Sequence, residues 1–198
     1  MVETSGRNGM TRRYELADAG VRLIARGGIR ALTHRAVDVE AGLPAGSTTY
    51  YARTRRELTG LVVTRITEQL ASDLQGLSIP ALMDDTTAVT IAGAFLDGLA
   101  QREEAQAARF ALLFELRGDD ELRAPLTAAD PVRTALTDTA RAILDAIGVA
   151  DLEGAAVDLV GLIDALLLYR TAGAGPVDSS RVLMAYLAGL DRVRPPRA

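Results

Sequence analysis

Residues 33 to 51 read Thr33-His34-Arg35-Ala36-Val37-Asp38-Val39-Glu40-Ala41-Gly42-Leu43-Pro44-Ala45-Gly46-Ser47-Thr48-Thr49-Tyr50-Tyr51, and no other stretch says as much about the architecture. Thr33 follows Ile29 and Leu32 and precedes His34-Arg35-Ala36-Val37, so its hydroxyl is placed to cap the backbone N–H groups opening a helix over 34 to 41. Gly42 closes that helix at a position suited to left-handed geometry, and Pro44 prevents its continuation. A short helix, a tight glycine-containing turn and a second short helix over 45 to 51 make a helix-turn-helix. The second helix is small, hydroxyl-rich, aromatic and uncharged. Such a surface presses closely onto DNA, its hydroxyls bonding phosphates and base edges while the small side chains admit it to the major groove. Arg53, Arg55 and Arg56 beside this helix, with Arg12 and Arg13 ahead of the first, fall where phosphates would pass.

Charge along the chain agrees with that reading. All 22 basic residues are arginine, against 26 acids, for a formal charge of −4. Residues 1–60 carry 10 arginines and 6 acids, whereas residues 61–198 carry 12 and 20, so a head of +4 precedes a body of −8. A basic head suits a polyanion, and an acidic body keeps the rest of the chain off it. Apolar residues recur at helical and not strand spacing, as in Tyr14, Ala17, Val21 and Ile24. Breakers at Gly27-Gly28, Gly42-Leu43-Pro44, Ile79-Pro80, Gly118-Asp119, Asp130-Pro131, Gly148 and Gly173 to Pro176 divide an all-α chain into about nine helices. The expected spans are 11–26, 34–41, 45–51, 55–76, 85–101, 104–117, 131–147, 152–172 and 178–193, with 1–9 as a mobile arm and Pro195-Pro196 ending the structure.

The head resembles the DNA-binding domain of the TetR family of one-component transcriptional regulators. The matching residues are Ala17 to Ala25 with Gly27-Gly28, Leu32-Thr33, Ala41 to Tyr51, Thr54-Arg55 and Glu57-Leu58, about a quarter of the chain. The resemblance implies a three-helix head joined by a long fourth helix to a helical bundle that binds ligand and dimerises, with the division at residue 60 (1–60 and 61–198). It implies that Thr33, Arg35, Pro44, Ala45, Ser47, Thr48, Thr49, Tyr50, Tyr51 and Arg55 face DNA, with Gly46 keeping the helix close. The chain departs from the family twice. Pro44 stands where a capping serine or threonine is usual, and Ala52 where a phenylalanine is usual, which leaves Tyr51 either on DNA or filling the gap beneath.

In the body, Phe95, Phe110, Leu113 and Phe114 offer apolar surface and Arg117 and Tyr169 polar handles, a combination suited to an effector pocket or equally to plain core. Leu159, Leu162, Leu166 and Tyr169 form one stripe on the eighth helix, and Leu183, Tyr186, Leu187 and Leu190 another on the ninth. Two stripes from each subunit would build a four-helix homodimer interface. Asp164 interrupts the first stripe and needs a partner, either an arginine or hydroxyl of the fold or a ligand.

With no cysteine and His34 the one histidine, neither a metal site, a nucleophilic triad nor a cofactor is expected. The acidic runs Asp84-Asp85, Glu103-Glu104 and Asp119-Asp120-Glu121 stand at helix starts, where the helix dipole favours them. The longest uncharged stretch, Ala41 to Ala52, is too short to span a membrane, and a cytoplasmic address is expected. The reading is therefore a non-enzymatic repressor that binds a near-palindromic DNA operator as a homodimer and is released by a small-molecule effector. Its alternative is a helical enzyme or carrier whose head serves only for docking.

Overall fold

The computed structural model describes residues 3–127 and 131–193, with side chains from residue 9 onward. Its helices are α1 (Glu3–Gly27), α2 (His34–Glu40), α3 (Ser47–Tyr51), α4 (Arg55–Gln75), α5 (Asp85–Ala100), α6 (Glu103–Glu115), α7 (Asp120–Arg123), α8 (Pro131–Ala146), α9 (Leu152–Thr171) and α10 (Ser179–Ala188). Val149 and Arg192 form an isolated antiparallel bridge, and no sheet develops among the described residues. All nine expected helices are present, and the single-turn α7 is an addition. The expected arm is a correction: α1 is already helical from Glu3. Gly6 and Gly9 lower helix propensity, but without a proline they do not stop a helix propagating from its packed part. Pro195-Pro196 lie outside the described residues.

Side chains close the helix starts as the sequence implies. The Thr33 hydroxyl accepts from Ala36 N at 3.2 Å, Asp84 from Thr87 N at 2.7 Å and Asp119 from Leu122 N at 3.1 Å. Asp151 and Asp178 cap α9 and α10 in the same way.

Backbone packing groups the chain into two compact units, Met1–Gln69 with Glu104–Asp130, and Leu70–Glu103 with Pro131–Ala198. In the first, Leu16, Ile24, Leu32, Val37, Leu58 and Val62 form a buried core to which Leu112, Leu116 and Leu126 also belong. Ionic contacts bind the same segments: Arg56 pairs with Asp119 and with Glu121, and Arg65 reaches Asp18 at 2.7 Å. In the second unit α8 packs along α9, while α5 lies against both α9 and α10. Its interior is aliphatic, with Leu96, Leu144, Leu167 and Leu183 wholly buried. Asp164 pairs with Arg133 of α8 at 2.7 Å, so the charge that interrupts α9 is met within the unit.

Candidate nucleic-acid interface

The turn between α2 and α3 depends on glycine. Gly42 has φ of 66° and Gly46 φ of 92°, both in the left-handed region that side chains rarely adopt. The chain re-enters a helix at Ser47, two residues later than expected, and α3 has only five residues. A helix this short has no stability of its own, so its orientation must come from outside it.

Much of that orientation comes from Asp38. This residue is 3% exposed, and its carboxylate turns back under the start of α3. One oxygen accepts the Gly46 amide at 2.7 Å, and the other accepts both the Thr48 amide at 2.7 Å and the Thr48 hydroxyl at 2.6 Å. Burial alone would raise its pKa, but these hydrogen bonds, aided by the nearby His34, outweigh it and hold the carboxyl below the ordinary aspartate value. The capping that Pro44 cannot supply thus arrives from the preceding helix. Ser47 instead donates its hydroxyl back to Pro44 O at 2.7 Å. At the far end of α3, His34 Nε2 lies 2.8 Å from the carbonyl oxygen of Ala52, so that nitrogen carries a proton and donates it. His34 is thereby engaged in the fold, and no group of metal-ligating side chains occurs among the described residues.

The sequence-derived contact residues separate by exposure. Thr33, Arg35, Pro44, Ala45, Gly46 and Thr49 are exposed, and Tyr50 is the most open aromatic at 82%. Ser47 is half-buried. Thr48 is a correction: it is fully buried on Asp38 and does not look outward. Tyr51 is half-buried and packs on the core near the buried Ala52, with the Tyr50 ring set edge-on to it at 5.0 Å between centroids.

The arginines separate too. Arg55 donates to Ile29 O at 2.8 Å, Arg56 is held by carboxylates, Arg12 pairs with Glu15, and Arg22 and Arg26 share Glu40, whose pKa they lower. Arg13, Arg35 and Arg53 are exposed and their guanidinium groups form no ion pair among the described residues, although the Arg53 backbone N–H donates to Glu57 at 2.6 Å. Of the arginines expected near phosphates, Arg13, Arg35 and Arg53 are thus the least committed within the fold, and Arg12, Arg55 and Arg56 are engaged in it.

The remaining expected site residues lie in both units. Phe110, Leu113, Phe114 and Arg117 belong to the first unit, where Arg109 covers the Phe110 ring at 4.4 Å and Arg117 lies over the half-exposed Phe114 at 5.3 Å. Tyr169 is 43% exposed in the second unit. Only Phe95 lines the apolar cavity there, with Ile91, Leu136, Ile143, Leu159 and Ile163, around about 30 Å³ of internal space. Of the expected dimer stripes, Leu159, Leu166, Leu183 and Leu187 are buried in their own unit, and Leu162, Tyr186 and Leu190 are half-buried. The Tyr186 hydroxyl donates to Ala155 O at 2.8 Å, tying α10 to α9. Among the residues that α9 exposes are Val157, Gly161, Ala165 and Leu168, with Asp158, Tyr169 and Arg170 also exposed.

An N-terminal helix-turn-helix followed by a helical bundle defines a one-component regulator fold, and the comparisons carry this to the family. The family profile described as "Tetracyclin repressor-like, C-terminal domain" matches residues 82–192. The chain belongs to the TetR family. Among solved structures, a TetR-family member (SCO1917) from Streptomyces coelicolor A3 is 26% identical, with a TM-score of 0.66 over 89% of this chain and 97% of that one. A transcriptional regulator (RHA1_ro04179) from Rhodococcus sp. Rha1 has a TM-score of 0.72 at 18% identity, over 92% and 99% of the two chains. The multidrug binding protein EbrR, complexed with ethidium, is 26% identical with a TM-score of 0.61 over 89% and 98%. No curated protein sequence matches significantly. No helix among the described residues is long and apolar enough to cross a membrane.

Proposed function

We propose that the chain is a transcriptional repressor whose residues 1–60 read a near-palindromic DNA operator and whose residues 61–198 dimerise and take a small-molecule effector. The observation that carries this reading is the outward surface of α3 and its approach. Tyr50, Thr49, Ala45 and Gly46 stand open and uncharged, while the guanidinium groups of Arg35 and Arg53 form no ion pair among the described residues. Small groups of this kind let a backbone approach a groove, and free guanidinium groups take the phosphates. In a symmetric dimer the two α3 helices would occupy successive major grooves about 34–36 Å apart.

The exposed α9 face supports the dimer. Val157, Gly161, Ala165 and Leu168 recur at helical spacing, and their small members let a partner helix come close. For the effector, the cavity around Phe95 has no charged lining, which favours a neutral, apolar ligand. Its roughly 30 Å³ is far below the several hundred typical of a drug-sized site, so binding must widen the packing of α5, α8 and α9. A ligand that prefers the widened state lowers operator affinity by that difference in binding energy.

The test is selection of random double-stranded DNA by the purified chain, followed by mobility shift on the enriched duplex. The expected result is an inverted repeat with half-sites about one helical turn apart, bound by a dimer. A chain that enriches no sequence overturns the reading.

A further inference from the structure

We propose that His34 and Asp38 act as a two-point clamp that sets the attitude of α3 for DNA, and that both are positioning residues for sequence reading. The inference rests on the DNA-binding role proposed above. The two side chains stand one turn apart on α2, so they point from the same side of that helix. Asp38 takes the amides of Gly46 and Thr48 at the start of α3, and His34 takes the carbonyl of Ala52 at its end. The clamp therefore spans the whole five-residue helix and fixes both its position along its axis and its rotation.

Packing alone could not do this. Thr48 is the one fully buried residue of α3, with Ser47 and Tyr51 half-buried, and apolar packing over so small an area is not directional. Hydrogen bonds are directional, and those to an ionised carboxylate are roughly twice as strong as neutral ones. Thr48 completes the arrangement from the other side, donating its hydroxyl to the same Asp38 oxygen that holds its amide. Rotation of α3 that carried Tyr50 or Thr49 off register would break all of these bonds together. A residue with no outward surface thus governs where the outward residues point.

The parent chain is first used to enrich a duplex from random DNA, and this duplex and a scrambled one of equal length serve as probes at several salt concentrations. Asp38→Asn keeps the shape but sets an amide donor against an amide donor, and His34→Ala removes the far contact. Each is expected to weaken binding to the enriched duplex by about ten- to a hundredfold, the loss of one or two satisfied bonds in each half-site. Affinity for the scrambled duplex and the salt slope should stay as in the parent, since no phosphate contact is removed. Amide exchange at Gly46 and Thr48 should quicken in Asp38→Asn far more than at the other buried amides, with only a small fall in the melting temperature. Adding Pro44→Ser to Asp38→Ala, which offers a hydroxyl cap from the other side, should recover part of the loss.

Unchanged affinity for the enriched duplex in both variants overturns the clamp and leaves the DNA-binding reading standing. Equal loss on both duplexes, in step with melting, also overturns it, because that outcome marks a merely structural role. A parent chain that enriches nothing overturns the DNA-binding reading and the clamp with it.

Discussion

The α2–α3 pair and the α8–α9 pair are both consecutive helices packed on each other, yet they are held in different ways. Between α2 and α3 the decisive contacts are polar and directional, centred on the buried Asp38. Between α8 and α9 they are aliphatic, with ion pairs such as Arg133 to Asp164 and Arg141 to Glu153 set towards the edges. A helix of five residues has too little apolar area to fix its own orientation, whereas helices of 16 and 20 residues have plenty. Non-directional packing of the second kind can shift to admit a ligand, and directional contacts of the first kind keep a surface in one place.

The contrast breaks most visibly in the second unit. Leu187→Arg puts a charge at a position 2% exposed, and a loss of about 3–5 kcal/mol is expected, read as failure to fold or a collapsed melting transition. Leu168→Arg, at a position 38% exposed, should instead leave the melting curve of the subunit near the parent's while sedimentation shifts from dimer to monomer. A folded, dimeric Leu187→Arg protein would show that the aliphatic interior is not what holds this unit together.

Effects in the head are smaller. Tyr50→Phe removes one exposed hydroxyl and should cost about 1 kcal/mol per half-site with unchanged sequence preference, measured by mobility shift. Arg35→Ala should reduce the logarithmic salt slope by roughly 0.9 per subunit, and Arg56→Ala by less, since Arg56 already serves Asp119 and Glu121. The smallest effect near neutral pH is that of acid. Because the Asp38 carboxyl is more acidic folded than unfolded, the unfolded chain takes up its proton first. The stability it lends is complete above the unfolded aspartate value of about 3.9 and is lost as pH falls through the lower folded value. Thermal melts from neutral pH downwards should therefore stay level until that region, and Asp38→Asn should flatten the acid limb.

The sequence was most legible where function and structure depend on neighbours in the chain. The Thr33 cap, the Gly42 turn and the stop at Pro44 are all local, and each is where the spacing put it. Asp38 is invisible at that level, because a single acid in a short helix reads as a solvated charge until the chain doubles back over it. Thr48 was misread for the same reason, as its partner lies ten residues away. On α9 the periodicity identified an apolar face but not which surface would cover it. The leucine face is occupied by the helix's own unit, and the face left open is the one with smaller residues. The three phenylalanines are a weak pocket signal because aromatics fill cores as readily as they line cavities, and Phe110 and Phe95 belong to different units.

The first unit is not continuous in sequence, since Leu70–Glu103 intervenes before Leu112, Leu116 and Leu126 complete its core. During translation, at about 5–20 residues per second, the helix-turn-helix leaves the ribosome seconds before the segment that seals it. Until then Leu58, Leu61 and Val62 have part of their covering missing, and the nascent chain carries an unfinished domain. A gene fragment ending at residue 69 lacks Leu112, Leu116 and Leu126 of this core permanently.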